Sequence, residues 1–351
     1  MLGKPLHHTS PSQTRQNPLT LAIRSKMLEF IKRALRNPTP KLYGLDHAIL
    51  NVEFPPQTMW MNMGYWEASH THTNNFPEAC EALLEQVLTT ALSKESKSIK
   101  ILDVGCGCGD QSLYLLNTLS SQNAKNEEPS HLESQSPNQN LRHRSTNKSL
   151  PTLTSYLGIT LEPAQAGLAK SRINQSSPSI PAKIFCGNAS IPSNWPAELS
   201  SLINTSNDPK DESTWLLALD TLYHFRPSRV PLLAHAVTLQ ASFMAFDLLI
   251  GENVTWWQKL LLRIVCLGTN APFGNFITEK EYIDMLVAVG YKRENIEVRD
   301  VSKFVFGGLA GFLAVRKEYG MPMGKFGMAR RVFDWWAATG VVRGAVVVAR
   351  V

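Results

Sequence analysis

The sequence has no apolar run long enough to cross a bilayer. Its longest, Phe304 to Val315 and the stretch around Leu260 to Leu267, fall short of the roughly 20 residues a spanning helix needs, so stable membrane insertion is not expected. No block of five or more like charges occurs either. The net charge of +6 is therefore spread too thinly for the concentrated basic surface that nucleic acid requires. The five cysteines (Cys80, Cys106, Cys108, Cys186 and Cys266) are odd in number and scattered. Cys106-Gly107-Cys108 has no second pair or nearby histidine to complete a zinc pattern, so no metal site is expected. These thiols read as reduced, in a cytoplasmic protein. The first 18 residues are polar, contain three prolines and show no secretory signal.

What is present is an ordinary globular composition, 43% hydrophobic and 18% charged over 351 residues, ample for a packed core. Its centre is the run from Ile99 to Asp110. Ile99, Ile101, Leu102 and Val104 make a nearly continuous apolar strand, as parallel strands covered on both faces do. Asp103 lies near its carboxyl end. Gly105, Gly107 and Gly109 follow at alternate positions, and a helix begins at Gln111. Glycines here permit positive φ and let a ligand approach the backbone, and ligands in such folds sit outside the carboxyl ends of the strands. A dinucleotide turn would read G-x-G-x-x-G, with one more residue before the third glycine.

The run Asp103-Val104-Gly105-Cys106-Gly107-Cys108-Gly109 resembles the first motif of class I S-adenosylmethionine-dependent methyltransferases. The resemblance implies an α/β fold. Its core is a Rossmann-like, seven-stranded, mostly parallel sheet with helices on both faces, an N-terminal helical cap and an insertion over the active site. It implies S-adenosyl-L-methionine as cofactor, anchored near its amino-acid end by Asp103, with Gly105, Cys106, Gly107 and Gly109 beneath it. Met61-Asn62-Met63-Gly64-Tyr65-Trp66 resembles a segment preceding that motif in the cyclopropane-fatty-acid, tocopherol and sterol branches. There an aromatic residue, Tyr65 or Trp66 here, closes over the sulfonium, and a cation over a π face is favoured by about 0.5–2 kcal/mol.

The remaining strands extend the resemblance. Tyr156 to Leu161 reads as the second strand, with Thr160 where nucleotide-binding folds often carry a ribose-binding acid. Gly158-Ile159-Thr160-Leu161 followed by Gln165 resembles the lipid and tocopherol branches. It leaves the ribose contact open among Thr160, the Leu161 backbone, Glu162 and Gln165. Ala182 to Ala189 is the third strand and turn. Its Gly187-Asn188-Ala189 resembles the family's Gly-Asp-Ala, and the Asn188 amide oxygen could accept from the adenine amino group. Trp215 to Asp220 is the fourth strand, whose end borders the transferred methyl in the family. His224 follows it and is the candidate base. An unperturbed histidine titrates near neutrality, which predicts a rate that falls with pH in that range. Tyr223 and Tyr65 are further catalytic candidates, Asp220 is a candidate cofactor contact, and Asp220 and Tyr223 could also orient an acceptor or its cation. The Pro-Pro that nucleic-acid base methyltransferases carry after this strand is missing.

The domain plan is a disordered terminus (1–18) and one methyltransferase domain (19–351). That domain divides into a helical cap (19–97), a cofactor-binding core (98–250), a substrate-covering insertion (251–290) and C-terminal strands and helices (291–351). Leu19 to Arg36 reads as a basic helix, capping the core or touching a membrane surface. Phe76 to Leu92 reads as a helix. Leu119 to Thr154 is too polar to offset its ordering entropy and reads as a disordered insertion, with a smaller one at Asn204 to Thr214. Helices are expected at Pro227–Gln240, Trp256–Leu267, Tyr282–Val289, Phe304–Arg316 and Phe326–Thr339. Strands are expected at Ala241–Ile250, Asn295–Val301 and Val341–Val348. Trp256, Trp257, Phe273 and Phe276 would give the insertion a greasy wall. The expected activity is methylation of a small, lipophilic metabolite, at oxygen before nitrogen or carbon. The alternative is a member of the fold that binds the cofactor without methylating.

Overall fold

The computed structural model describes residues 58–67, 75–95, 97–120, 150–204, 212–319 and 323–351. The expected disordered terminus, the basic helix from Leu19 and most of the 119–154 segment lie outside them. Lys41–Val351 forms one compact unit.

The apolar runs read from the sequence become strands that pair in the order β3-β2-β1-β4-β5-β7-β6. In chain order these are β1 (Ser98–Val104), β2 (Leu153–Thr160), β3 (Ala182–Cys186), β4 (Glu212–Leu219), β5 (Ser242–Ile250), β6 (Ile296–Asp300) and β7 (Val342–Ala349). The first five pair in parallel, and β7 runs antiparallel to both β5 and β6. Nine helices are described: α1 (Phe76–Leu92), α2 (Asp110–Leu119), α3 (Pro163–Ser176), α4 (Ala197–Asn204), α5 (Val230–Thr238), α6 (Trp256–Thr269), α7 (Glu279–Val289), α8 (Phe306–Glu318) and α9 (Phe326–Thr339). Thr255 with Gln258 and Thr278 with Glu281 form capping boxes that start α6 and α7. Among the described residues no helix is long and apolar enough to cross a membrane.

Two element edges differ from the sequence reading. Leu119 closes α2 and Leu153–Thr154 open β2, so the polar segment is shorter at both ends than 119–154. Likewise Asn204 ends α4 and Glu212–Thr214 belong to β4. The cause is tertiary. Ser98, Ile99 and Lys100 on β1 pair with Glu212, Ser213 and Thr214, which have no apolar signal of their own.

The core explains the alternation within strands. Leu102, Val104, Leu216, Ala218, Phe243 and Ala245 form one cluster with Leu232 of α5 and Leu286 of α7. Ile101, Leu217, Met244 and Phe246, one residue out of phase, face the other side by the two-residue period. All nine residues of β5 are buried, and Asp247 is its one charged residue. A carboxylate there needs a partner. Arg229, 1% exposed, supplies it, while the Tyr282 hydroxyl donates to Asp247 Oδ2 at 2.9 Å. Arg229 also donates to the Asn275 carbonyl, and Asn275 Nδ2 donates to the carbonyls of Tyr223 (3.2 Å) and Phe225 (2.8 Å). The buried ion pair thus fixes the turn that carries Tyr223 and His224.

Removing one partner of such a pair leaves a stranded charge and costs about 3–5 kcal/mol. Asp247→Ala should lower stability by that amount in urea unfolding. The double change Arg229→Met with Asp247→Leu should recover most of it, because neither charge is then left buried.

Candidate functional site

The strand order reverses between β1 and β4, both followed at their carboxyl ends by tight turns. That is where open α/β sheets bind ligands. The turn after β1 is built by steric necessity. Gly105, Gly107 and Gly109 all have positive φ (86°, 57° and 90°). A Cβ on Gly105 would meet Thr221 Oγ1 at 2.7 Å, and one on Gly107 would meet Met61 Cε at 2.4 Å. The short Thr221 side chain leaves no room for a Cβ at Gly105, Met61 lies directly over Gly107, and the positive φ at both positions favours glycine. Cys106 and Cys108 are buried within the turn, and burial pushes the Cys108 thiol up to about 11 and the Cys106 thiol well above its usual range.

Residues 58–66 cross this edge as a strap, fastened along their length. The Met59 amide donates to Asp110 Oδ1 at 3.1 Å. Asp110, the first residue of α2, is also gripped by both terminal nitrogens of Arg172 at 2.7 and 2.8 Å. Met61 lies over Gly107, and its sulfur is 3.6 Å from Gln165 Nε2. Asn62 Nδ2 donates to the Cys80 carbonyl (3.1 Å) and Asn62 Oδ1 accepts from the Gly64 amide (2.9 Å). The Tyr65 and Trp66 amides then donate to the carbonyls of Ala79 and Phe304.

The two aromatic residues of the strap divide. Trp66 packs against Phe76 and Phe312, lies where a Gly308 Cβ would stand, and donates its indole N–H to the Met63 carbonyl at 2.9 Å. It clamps the strap to α8. Tyr65 is half-buried on Phe304, ring centroids 4.7 Å apart, and burial raises its hydroxyl pKa.

Asp103 has no exposed surface. Gln111 Nε2 reaches both of its oxygens, at 2.7 and 2.8 Å, and the Tyr156 hydroxyl donates to Oδ2 at 2.6 Å. Burial pushes the carboxyl up to about 6 against the opposing effect of these bonds. The side chain ties β1 to α2 and β2 and does not face open space, so the direct anchoring contact expected of it is not what its surroundings provide.

Asp220 is the contrasting case. It follows β4 with φ of 57°, its amide donating to the Phe246 carbonyl at 3.0 Å. Its Oδ1 is buried without a hydrogen-bond partner. Burial pushes this carboxyl up to about 8, opposed by hydrogen bonds from the Tyr223 side chain and the Met63 amide. Tyr223 is buried beside His224, ring centroids 4.1 Å apart, and beside Phe276 at 6.1 Å. Desolvation pushes the His224 imidazole down to about 3. The expected loss of rate as pH drops through neutrality is therefore corrected: His224 stays neutral across that range, because its surroundings disfavour the imidazolium.

At the ends of β2 and β3 the sequence reading is partly sharpened. Thr160 and Gln165 are buried and joined, Thr160 Oγ1 donating to Gln165 Oε1 at 3.0 Å. Leu161 is 62% exposed, so its backbone alone is suited to a contact. Asn188 Oδ1 already accepts from the Ser190 amide (3.0 Å) and hydroxyl (2.7 Å). The expected acceptance from adenine is thus displaced, and the free function of Asn188 is its Nδ2 donor. Ala189 is buried next to it. Of the expected greasy wall, Phe276 is buried near Tyr223, Arg263 lies 4.8 Å from the Phe273 ring, and Trp256 is 75% exposed. Among the described residues no group of His, Cys, Asp or Glu could hold a metal ion.

Several residues that frame the site escaped the sequence reading: Met61, Asp110 with Arg172, Gln111, Tyr156, Thr221 and Asn275. Asp110 had a signal, an acid on the first turn of the helix that follows the glycines, where negative charge suits the helix dipole. The others act only through partners distant in sequence.

The sequence matches no family model and no curated protein. Its fold does have solved counterparts. A mycolic acid cyclopropane synthase complexed with SAH is 12% identical, with 89% of this chain and 96% of that chain covered and a TM-score of 0.58. A cyclopropane synthase from Mycobacterium tuberculosis is 12% identical, with 88% and 96% covered and a TM-score of 0.56. A [4+2]-cyclase, SpnF, is 16% identical, with 89% and 97% covered and a TM-score of 0.53. The chain has the Rossmann-like fold of these S-adenosylmethionine-linked enzymes.

The Asp220 carboxyl makes a signed prediction. Unfolded, it titrates near 3.9; folded, it holds its proton up to about pH 8. The folded state thus binds the extra proton between these values, and stability falls as pH rises through that window. Asp220→Asn should raise the melting temperature of the ligand-free protein at pH 8.5 and change it little at pH 4. An equal change at both values would contradict the assignment.

Proposed function

We propose that the chain is a methyltransferase that uses S-adenosyl-L-methionine to methylate a small, lipophilic acceptor. The observation that carries this reading is the bare glycine turn at the β1/β4 switch point, roofed by Met61 and bordered by the Thr160–Gln165 pair. When bound, the cofactor would supply a methyl group already activated on sulfonium. The chain's task is then to hold and align the partners, which is where proximity and orientation have most to give. Backbone from Gly105 to Gly109 would lie beneath the cofactor, Thr160 and Gln165 would take ribose hydroxyls, and the Asn188 Nδ2 would donate to an adenine ring nitrogen. The complex of one fold counterpart, a mycolic acid cyclopropane synthase, with SAH supports the choice of cofactor, and its mycolic acid name supports a lipid-like acceptor.

Tyr223 and His224 would face the acceptor; Asn275 holds their turn by donating to the Tyr223 and Phe225 carbonyls. We favour a hydroxyl acceptor. An oxygen that gains a methyl becomes strongly acidic, so a neutral, weakly basic imidazole is able to take its proton. Tyr65 is placed to close the strap end of the site. A second reading, binding of the nucleoside without methyl transfer, is favoured by one observation: a [4+2]-cyclase shares the fold.

The test is incubation with methyl-labelled cofactor and separate sets of lipophilic alcohols, amines and alkenes, followed by extraction and mass spectrometry. Label should enter the alcohols, and His224→Ala should lower turnover roughly 10²–10⁴-fold with cofactor affinity unchanged. Cofactor binding with no label in any set would favour the second reading.

A further inference from the structure

We infer that Asp220 is this chain's anchor for the α-ammonium group of the methyl donor and of the spent donor, S-adenosylhomocysteine. The inference rests on the function proposed above and assigns the part of the site that recognises the donor's amino-acid end. It starts from an imbalance between two acids. Asp103, the acid for which the family resemblance implies that role, has both oxygens engaged by Gln111 and Tyr156 and no exposed surface. Asp220 has Oδ1 buried with no donor at all. A buried acceptor left unmade is a rare feature that calls for a ligand or an explanation.

Position supports the same reading. Asp220 adjoins Thr221, whose side chain packs against Gly105 of the glycine turn. On the other side it meets the Met63 amide of the strap. It therefore sits between the floor and the roof of the site. Its left-handed backbone, φ 57°, is one that Asp and Asn adopt more readily than other side chains. The titratable groups acting on it or feeling it are Tyr223 in its own turn, Cys80 on α1 and Asp247 on β5. None of these is a cation. Burial holds the proton on Asp220 up to about pH 8. An arriving ammonium would ionise the carboxyl, and at pH 7 the bound complex would release the proton to solvent.

The experiment is titration calorimetry with S-adenosylhomocysteine and with the analogue lacking only its amino group. Both are measured on wild type and on Asp220→Asn, which keeps the backbone preference and the size. Wild type should bind the amine-bearing ligand roughly ten- to a hundred-fold more tightly, the usual reach of a hydrogen bond to a charged group. In Asp220→Asn the ratio should fall towards one. At pH 7, in buffers of different ionisation heat, wild-type binding should release about one proton, and the variant none. An unchanged ratio in the variant would overturn the inference. So would a variant that binds the donor normally and loses only affinity for the acceptor, which would place the acceptor's cation at Asp220 instead. A wild type that binds neither ligand would overturn the proposed function itself, a result separable from the other two.

Discussion

A carboxylate with no water to face has to be paired from within, and at the end of β1 that requirement organises the edge of the sheet. Asp103 is 0% exposed and takes donors from Gln111 on α2 and Tyr156 on β2. Tyr156 in turn pairs with Ser112 at 2.6 Å. One buried charge thereby fixes the start of α2 relative to two strands, and the turn between them can adopt only one path. Thr221 presses on that path closely enough to require glycine at 105, and the positive φ of Gly107 and Gly109 favours it there. That backbone borders the site proposed for the methyl donor.

A second buried charge fixes the turn after β4. Asp247 and Arg229 are paired in the core, and Arg229 holds Asn275, which holds the turn from Tyr223 to Phe225. Ion pairs of this kind contribute little net stability over apolar packing. What this one contributes is position, because a fully satisfied polar network admits one arrangement. Between these two frames lies Asp220, partly exposed as a residue but with its Oδ1 buried and unpaired. The satisfied acids Asp103 and Asp247 contrast with Asp220, whose Oδ1 has no partner; on that contrast rests the proposed role of Asp220 in holding the donor.

Much of this was legible in the sequence, and the reason is local. β1, β5 and the helices α1 and α9 announce themselves through their own apolar spacing, and the glycine turn through its composition. The paired polar ends of strands did not: Glu212–Thr214 become strand only because β1 lies beside them. The same limit applies to the site. Trp66 looked like a ligand contact until Gly308 and Phe312 were seen to enclose it. The Asn188 oxygen looked free until Ser190 was seen to occupy it. His224 looked like a switch near neutrality, but its desolvation comes from packing that no sequence window contains.

The central claim is that the strap over residues 105–109 roofs a site for a sulfonium nucleoside. Hydrogen exchange of the strap amides tests it directly, since the Met59 and Tyr65 amides are paired with Asp110 and Ala79 across the edge of the sheet. Closing the site around a ligand should suppress local opening. The account predicts that S-adenosylhomocysteine slows exchange at Met59, Met63 and Tyr65, and that NAD does not. Unchanged exchange with S-adenosylhomocysteine, or equal slowing by NAD, would contradict it.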